Sequence, residues 1–225
     1  MPTSSGGDPA LVGRLVVDLS TGIAGAYCTK LLADGGAEVV KVEAPEGDPL
    51  RRWSASGAPV ADGSDGALFS FLSSSKQSVV IDPAEGEMAT LDALLARADA
   101  VVWSAGTGLA DLPAFSPEAM LGAHPHLTVT AISPFGLEGP WSDRAATEFT
   151  LQAWSGGIVG LGRGSADRAP VFVGGQVGEW LTGAYAAIGT MASRTRRLSA
   201  CHTASKPCSS AYCAYAIPSR IGCLS

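Results

Sequence analysis

Near its N-terminus the chain carries a strand–turn–helix–strand pattern, which restricts the fold more than any other feature of the sequence. Residues Arg14 to Asp18 (RLVVD) form a short apolar run of the kind that builds a buried parallel strand. A turn of small residues follows, and Tyr27, Leu31 and Leu32 then fall on one face of a helix that ends at two glycines. Residues Glu38 to Glu43 (EVVKVE) form a second strand. Together these segments predict a right-handed βαβ unit of about 30 residues.

Strands and helices alternate along the rest of the chain. This alternation predicts a doubly wound α/β fold, Rossmann-like, with a mostly parallel sheet. Residues 44–68 are rich in Pro, Gly, Asp and Ser and are longer than an ordinary connection, and long ordered loops are often functional. The further strands are expected at 77–82, 98–103 and 128–134, and the further helices at 84–97, around 117–122, at 145–154 and at 178–194.

The composition of the chain changes near residue 197. No Asp or Glu follows Glu179, and from Ser199 the sequence is mainly Ser, Ala and Cys without a helical or strand period. We therefore expect three parts. A mobile tail covers residues 1–12, the α/β domain covers 13–197, and 198–225 form an unrelated segment that is disordered or results from a reading-frame change in a truncated gene product.

Charge and cysteine content exclude several classes of function. The net charge is −6 and no long basic run exists, so the clustered Lys and Arg of a nucleic-acid groove are missing. No stretch approaches the roughly 20 apolar residues that span a bilayer, and the first residues do not resemble a secretory signal, which predicts a cytoplasmic protein without a membrane partner. Four of the five cysteines lie in the last 25 residues, and their spacing fits neither a zinc site nor a disulfide framework.

Few side chains offer the usual nucleophiles or bases. His124 and His126 flank a proline at a turn, where a surface role is expected, and Cys28 lies in an apolar helix, where a small buried thiol is far commoner than a reactive one. The sequence contains no Walker A loop, no HExxH motif and no GxSxG elbow. Hydrolytic triads and metal catalysis therefore have no support.

Two features permit a functional interpretation beside a structural one. The turn from Thr21 to Gly25 ends a strand and opens a helix, so it is either an anion site or an ordinary tight turn. With glycines only at 22 and 25, it does not favour a dinucleotide site that would use Glu43 on a ribose. Glu179 begins a helix after a glycine-rich loop, so it is either a charge stabilised by the helix dipole or a nucleophilic carboxylate.

Four ordered blocks carry a resemblance to a known family. They are VVDLSTGIAGAYCTKLLADGGAEVVKVEAPEGDPLRRW (16–53), SSSKQSVVID (73–82), ISPFGLEGPWSDRAATEFTLQAWSGG (132–157) and GEWLTGAYAAIGTMAS (178–193). The blocks resemble the corresponding segments of family III CoA-transferases of the CaiB/BaiF type, such as L-carnitine CoA-transferase and formyl-CoA transferase. The fold that this resemblance implies is the Rossmann-like large domain of that family, here incomplete.

The resemblance implies a CoA-transferase that moves CoA between an acyl-CoA and a small carboxylic acid, with no permanently bound cofactor and no metal. Glu179 stands at the family's catalytic aspartate, which attacks the thioester and is later loaded with CoA. The residues placed against CoA are those of the first turn, and three cations are candidates near its phosphates. These binding residues are Thr21, Gly22, Ile23 and Ala24, then Arg51, Lys76 and Arg144.

The resemblance also names departures and alternatives. The family's turn proline is Ala26 here, and two of its asparagines are Ser73 and Ser75. Related racemases need a histidine, for which the nearest matching position is Thr147, and this favours a transferase. A CoA-binding chain without catalysis remains the alternative, with a nucleotide-dependent oxidoreductase a distant third. Family members form interlocked homodimers, which we do not expect from a chain that lacks the family's return segment.

Overall fold

The fold is built on a parallel sheet, seen in a computed structural model that describes residues 9–156, 158, 161, 167, 169–196 and 213–217. Five strands run parallel in the order β3-β2-β1-β4-β5, so the chain starts at the centre of the sheet and builds outward in both directions. This confirms the predicted α/β class. The strands are β1 (Leu15–Leu19), β2 (Glu38–Glu43), β3 (Gln77–Val80), β4 (Ala100–Ser104) and β5 (Thr128–Ser133).

Helices follow the strands along the chain. Two of them, α1 and α6, pack against each other, and they bring the first turn of the fold next to the last glycine-rich loop. The helices are α1 (Gly22–Asp34), α2 (Ala67–Leu72), α3 (Met88–Arg97), α4 (Pro117–Ala123), α5 (Glu148–Trp154) and α6 (Val177–Arg196), with short 3-10 turns at Pro49–Arg52, Pro83–Glu85 and Pro113–Phe115.

The central strands β1 and β4 are buried on both faces, as expected of a parallel sheet covered by helices, whereas β3 is largely exposed. Successive side chains of β1 point to opposite sides: Val17 packs in the cluster that contains Leu91 and Leu95 of α3, whereas Val16 packs in the cluster that contains Cys28 of α1. Cys28 has no exposed surface, as the sequence predicted, and burial raises the pKa of its thiol. Such a thiol stays protonated and inert at neutral pH.

The structure differs from the sequence prediction at both ends of the chain. The expected mobile tail, 1–12, lies outside the described residues up to residue 8. Its last part is anchored, because Leu11 N donates to Gly35 O at 3.0 Å. Where no strand period was found, Cys213–Ile217 form a sixth strand, β6, which is antiparallel to β5. The remainder of 198–225 lies outside the described residues, so its origin stays a prediction.

Glycine at position 183 allows α1 and α6 to approach closely. A Cβ built at Gly183 would lie 2.6 Å from the backbone oxygen of Ala24 and 3.2 Å from the backbone nitrogen of Cys28. Neither contact is with a flexible side chain that could move aside. The helices can therefore keep this spacing only with glycine at this position.

Gly183→Ala is expected to lower the free energy of unfolding by about 1–3 kcal/mol, the usual cost of overpacking a tight interface. Urea unfolding followed by circular dichroism measures this change. Gly122→Ala in α4 is the matched control, because a Cβ there meets nothing within 4 Å and alanine is the better helix former. A Gly183→Ala chain as stable as the Gly122→Ala chain would contradict the close crossing.

Candidate functional site

A carboxylate from α6 lies at the N-terminus of α1. Glu179 is in the first turn of α6, and its Oε2 accepts hydrogen bonds from Ile23 N at 2.7 Å and from Ala24 N at 3.3 Å. The side chain of Thr21, the N-cap residue of α1, makes no capping hydrogen bond. Glu179 therefore caps α1 in its place, and the first turns of two helices meet at a single carboxylate.

The turn that receives Glu179 requires glycine. Gly22 has φ of +81°, a left-handed conformation that side chains rarely adopt, and a Cβ there would lie 3.2 Å from Glu179 Oε2. Three of the four turn residues predicted to bind CoA, Gly22, Ile23 and Ala24, thus lie against the predicted nucleophile. The N–H of Thr21 points toward β4 instead, where it donates to Ser104 Oγ at 3.0 Å.

The environment of Glu179 makes its carboxyl group harder to ionise. Burial raises its pKa above the usual value, the hydrogen bonds from Ile23 N and Ala24 N lower it, and the negative charge of Glu148 raises it again, with a net upward shift. Glu148 is the first residue of α5, and its Oε1 accepts from Gly178 N at 2.9 Å. It thereby holds the backbone next to Glu179 while it repels the Glu179 charge.

Glu148→Gln is expected to lower the pKa of Glu179, because the substitution removes a nearby like charge and keeps an oxygen that can accept from Gly178 N. A pH titration of ¹³C-labelled glutamate carboxyls by NMR measures the shift, with the Glu179 signal assigned by its loss in Glu179→Gln. Glu118→Gln, at the start of α4, is the control and should leave that signal unchanged. A Glu179 pKa that is the same in the parent chain, in Glu148→Gln and in Glu118→Gln would contradict the coupling.

Aromatic side chains form an apolar wall beside the carboxylate. The rings of Tyr27 and Trp180 meet edge to face with centroids 4.8 Å apart. They pack on a small cluster that includes Ile23, Leu50 and Phe69 and that joins α1 to the segment between β2 and β3. This loop region, which the sequence singled out for its length, thus contributes apolar surface next to the site.

Lys76, a predicted phosphate ligand, lies beneath the turn. Its Nζ donates to Thr29 Oγ1 at 2.6 Å and to Ala26 O at 2.9 Å, and lies 3.4 Å from Asp18 Oδ2. The Lys76 side chain is only 1% exposed. In this arrangement the ammonium group neutralises a buried carboxylate, and its role toward a phosphate stays a prediction.

Arg51 is also paired within the protein. Its guanidinium binds both oxygens of Glu43 at 2.7 Å, reaches both oxygens of Asp65 at 2.9 Å, and lies 4.1 Å from the centroid of the Phe69 ring. Glu43 is therefore not free to hold a ribose, which removes the residue on which the dinucleotide alternative depended. Arg51 and Lys76 line the same cleft of about 280 Å³.

Arg144, the third predicted cation, lies apart from these two. It is exposed, and its guanidinium lies 4.9 Å from the Trp141 ring centroid and 5.2 Å from that of Trp154. These stacking contacts leave its N–H groups able to bind an anion. Thr147, at the position that the racemases occupy with histidine, caps α5 by accepting from Thr150 N at 3.2 Å.

Neither a cluster of metal ligands nor a membrane-spanning helix occurs in the described part of the chain. Its His, Cys, Asp and Glu side chains form no group of three or more that could hold a metal ion. Over the same residues, no helix combines the length and the apolar character needed to cross a membrane.

Sequence reasoning missed two residues of this site. Glu148 stands in the third block at the place of an acidic residue in the pattern D-x-x-x-QA, and that match could have been used to find it. Ser104 ends a buried strand and carries no motif, so only the fold reveals that it meets Thr21.

Comparison with known proteins gives consistent matches. The model of CoA-transferase family III matches residues 11–200. A formyl-CoA:oxalate CoA-transferase of Streptomyces avermitilis is 32% identical over 84% of this chain and 44% of that protein, and a succinyl-CoA–D-citramalate CoA-transferase of Chloroflexus aurantiacus is 33% identical over 81% and 44%. A crystal structure of a CaiB/BaiF family protein from Brucella suis is 32% identical and superposes with a TM-score of 0.74 over 85% of this chain and 50% of that one. The matched part of the chain thus covers less than half the length of these curated relatives.

Proposed function

Because the chain belongs to CoA-transferase family III, we propose that it carries the CoA-handling half of a transferase that moves CoA between an acyl-CoA and a small carboxylic acid. The observation that carries the proposal is the hydrogen bond of 2.7 Å between Glu179 Oε2 and Ile23 N. It joins the position of the family's nucleophile to the turn that the resemblance assigns to CoA, across 156 residues of sequence. The names of the relatives suggest short dicarboxylic acids as the acceptor class.

The proposed reaction begins with attack by a Glu179 oxygen on the thioester carbonyl carbon. The C–S bond breaks, CoA leaves as a thiolate, and an acyl–glutamyl anhydride remains. The thiolate then attacks the glutamyl carbonyl carbon and expels the donor as a carboxylate, which leaves a glutamyl-CoA thioester. An acceptor carboxylate attacks this thioester and expels the CoA thiolate, which leaves an acceptor–glutamyl anhydride. The thiolate then attacks the acyl carbon of the acceptor and expels the Glu179 carboxylate, which gives the new acyl-CoA.

The chain's own groups suit these steps. Ile23 N–H and Ala24 N–H point at the reacting carboxylate, so they can stabilise negative charge on the oxygens of the tetrahedral intermediates. The wall formed by Tyr27 and Trp180 limits water beside the anhydride, which would otherwise hydrolyse. A raised pKa makes Glu179 a more basic nucleophile, but the reaction should slow as the pH falls through that pKa and the carboxylate is protonated.

Mass spectrometry tests the proposal directly. The chain is incubated with succinyl-CoA, one half of the sample is treated with hydroxylamine, and both halves are analysed intact and after digestion. We expect CoA on the peptide that contains Glu179, replaced by a hydroxamate in the treated half. Binding of CoA without an adduct would support a non-catalytic CoA-binding chain instead, and the absence of both would overturn the proposal.

A further inference from the structure

One peptide unit before α1 is held at both of its ends. The carbonyl of Ser20 accepts from Lys41 Nζ at 2.9 Å, and the N–H of the same peptide, which belongs to Thr21, donates to Ser104 Oγ at 3.0 Å. Lys41 is on β2 and Ser104 is on β4, the strands on either side of β1. Two neighbouring strands therefore fix the plane of one peptide at the carboxyl end of the strand between them.

The lysine in this arrangement is costly to bury. The Lys41 side chain is 3% exposed, and a buried ammonium is tolerated only when paired. Its Nζ lies 2.7 Å from Asp48 Oδ2, whose carboxylate also accepts from Leu50 N at 2.7 Å through Oδ1. Asp48 thus holds the ammonium in place at the carbonyl of Ser20.

The clamped peptide is close in sequence to the groups that bind Glu179. After it the chain turns at Gly22, and the next N–H groups, those of Ile23 and Ala24, both donate to the Glu179 carboxylate. A rotation of the clamped plane would be transmitted through this turn and would swing those N–H groups away from the carboxylate.

We propose that Lys41 and Ser104 are positioning residues, which clamp the Ser20–Thr21 peptide and so aim the first N–H groups of α1 at Glu179. The catalytic meaning of the clamp rests on the proposed function, but the clamp itself exists in the free protein. It can therefore be tested on the carboxylate in the absence of any thioester.

The readout is the pKa of Glu179, obtained from the same NMR titration of labelled glutamate carboxyls. Ser104→Ala removes one end of the clamp without a change of charge, and we expect it to raise the pKa by about one unit, since weakening a hydrogen bond to a charged group is worth about that much. Ser104→Thr retains the hydroxyl and should restore the original pKa. A merely structural role for Ser104 would change stability and leave this pKa in place.

The other end is tested with Lys41→Met combined with Asp48→Asn, which removes a Lys–Asp pair and leaves the net charge of the pair unchanged. The matched control is Lys30→Met with Asp34→Asn, a second Lys–Asp pair with its atoms 3.0 Å apart but near the far end of α1. We expect the first double variant, and not the second, to raise the pKa of Glu179. Among the residues that the structure describes, the charged group that faces Glu179 is Glu148 of α5, and it is the same in all these chains.

An unchanged Glu179 pKa in a folded Ser104→Ala chain would overturn the proposal. So would equal shifts in the two double variants, since the effect would then be one of general electrostatics. If the chain with Lys41→Met and Asp48→Asn does not fold, the proposal is decided by the Glu179 pKa in Ser104→Ala compared with that in Ser104→Thr. Failure of the chain to form an adduct with succinyl-CoA would refute the proposed function and leave these pKa values as valid as before.

Discussion

Glu179→Gln is expected to abolish the covalent adduct with succinyl-CoA, reducing its rate of formation by at least about a thousand-fold, as for removal of other enzymatic nucleophiles. An amide oxygen cannot attack a thioester at a useful rate, whereas the oxygen of Gln can still accept from Ile23 N. The variant should therefore fold and keep its capping contact with α1. Adduct formation is followed by intact mass, and folding by circular dichroism.

The chain offers matched controls for this result. Glu118→Gln makes the same chemical change at the start of α4 and should leave adduct formation as it is. Glu179→Asp introduces the residue that the resemblance implies at this position but withdraws the oxygens by more than an ångström, and misplacement on that scale costs about a hundred-fold. An adduct that persists in Glu179→Gln, on whatever residue, would rule out Glu179 as the nucleophile.

The sequence predicted the fold better than it predicted the partners of the charged side chains. The βαβ unit follows from local patterns, apolar runs of strand length and a helix that ends at glycines, and the five parallel strands lie within a few residues of their predicted positions. The short helix α2 was missed, because its six residues, at the end of a loop rich in Pro and Gly, are too few to show a helical period.

The contacts within the candidate site join residues that are far apart in the sequence, and local patterns do not predict such contacts. That Glu179 meets the first turn depends on the crossing of α1 and α6, which Gly183 permits but no local pattern reveals. Lys76 and Arg51 were assigned to phosphates because they are cations in the matching blocks. The structure pairs both with carboxylates, and the partner of Lys76, Asp18, lies 58 residues away in the sequence. Pairings over such distances are set by the sheet order, which a single sequence does not specify.

The second large effect is expected on stability and concerns Asp18, a carboxylate with no exposed surface. It accepts from Ser20 Oγ at 2.5 Å, from Thr29 Oγ1 at 2.6 Å and from Ser20 N at 3.1 Å, with Lys76 Nζ 3.4 Å away. Asp18→Asn would leave the lysine ammonium without its buried counter-charge. We expect the free energy of unfolding at pH 7 to fall by about 3–5 kcal/mol, the usual cost of breaking a buried ion pair from one side.

A surface pair provides the comparison. Asp34→Asn breaks the ion pair with Lys30, but the Asp34 side chain is 50% exposed, so the free energy of unfolding should change by less than about 1 kcal/mol. Urea unfolding at pH 7 measures both variants. Equal effects of the two substitutions would mean that the buried carboxylate stabilises the fold no more than a solvated one.

The pH dependence separates loss of charge from loss of shape. Burial by itself would raise the pKa of Asp18, but the charges of Lys41 and Lys76 and the hydrogen bonds from Ser20 and Thr29 bring it below its usual 3.8. A carboxyl group whose pKa is lower in the folded state stabilises the fold at pH values above its unfolded pKa, and this contribution is lost as the pH falls through the folded pKa. The difference in the free energy of unfolding between the parent chain and Asp18→Asn should therefore be largest between pH 5 and 7. It should decrease only below about pH 3.8. A difference that stays constant down to that acidity and below would show that asparagine disturbs the packing rather than the charge, because protonated aspartic acid and asparagine then differ only in shape and in their hydrogen bonds.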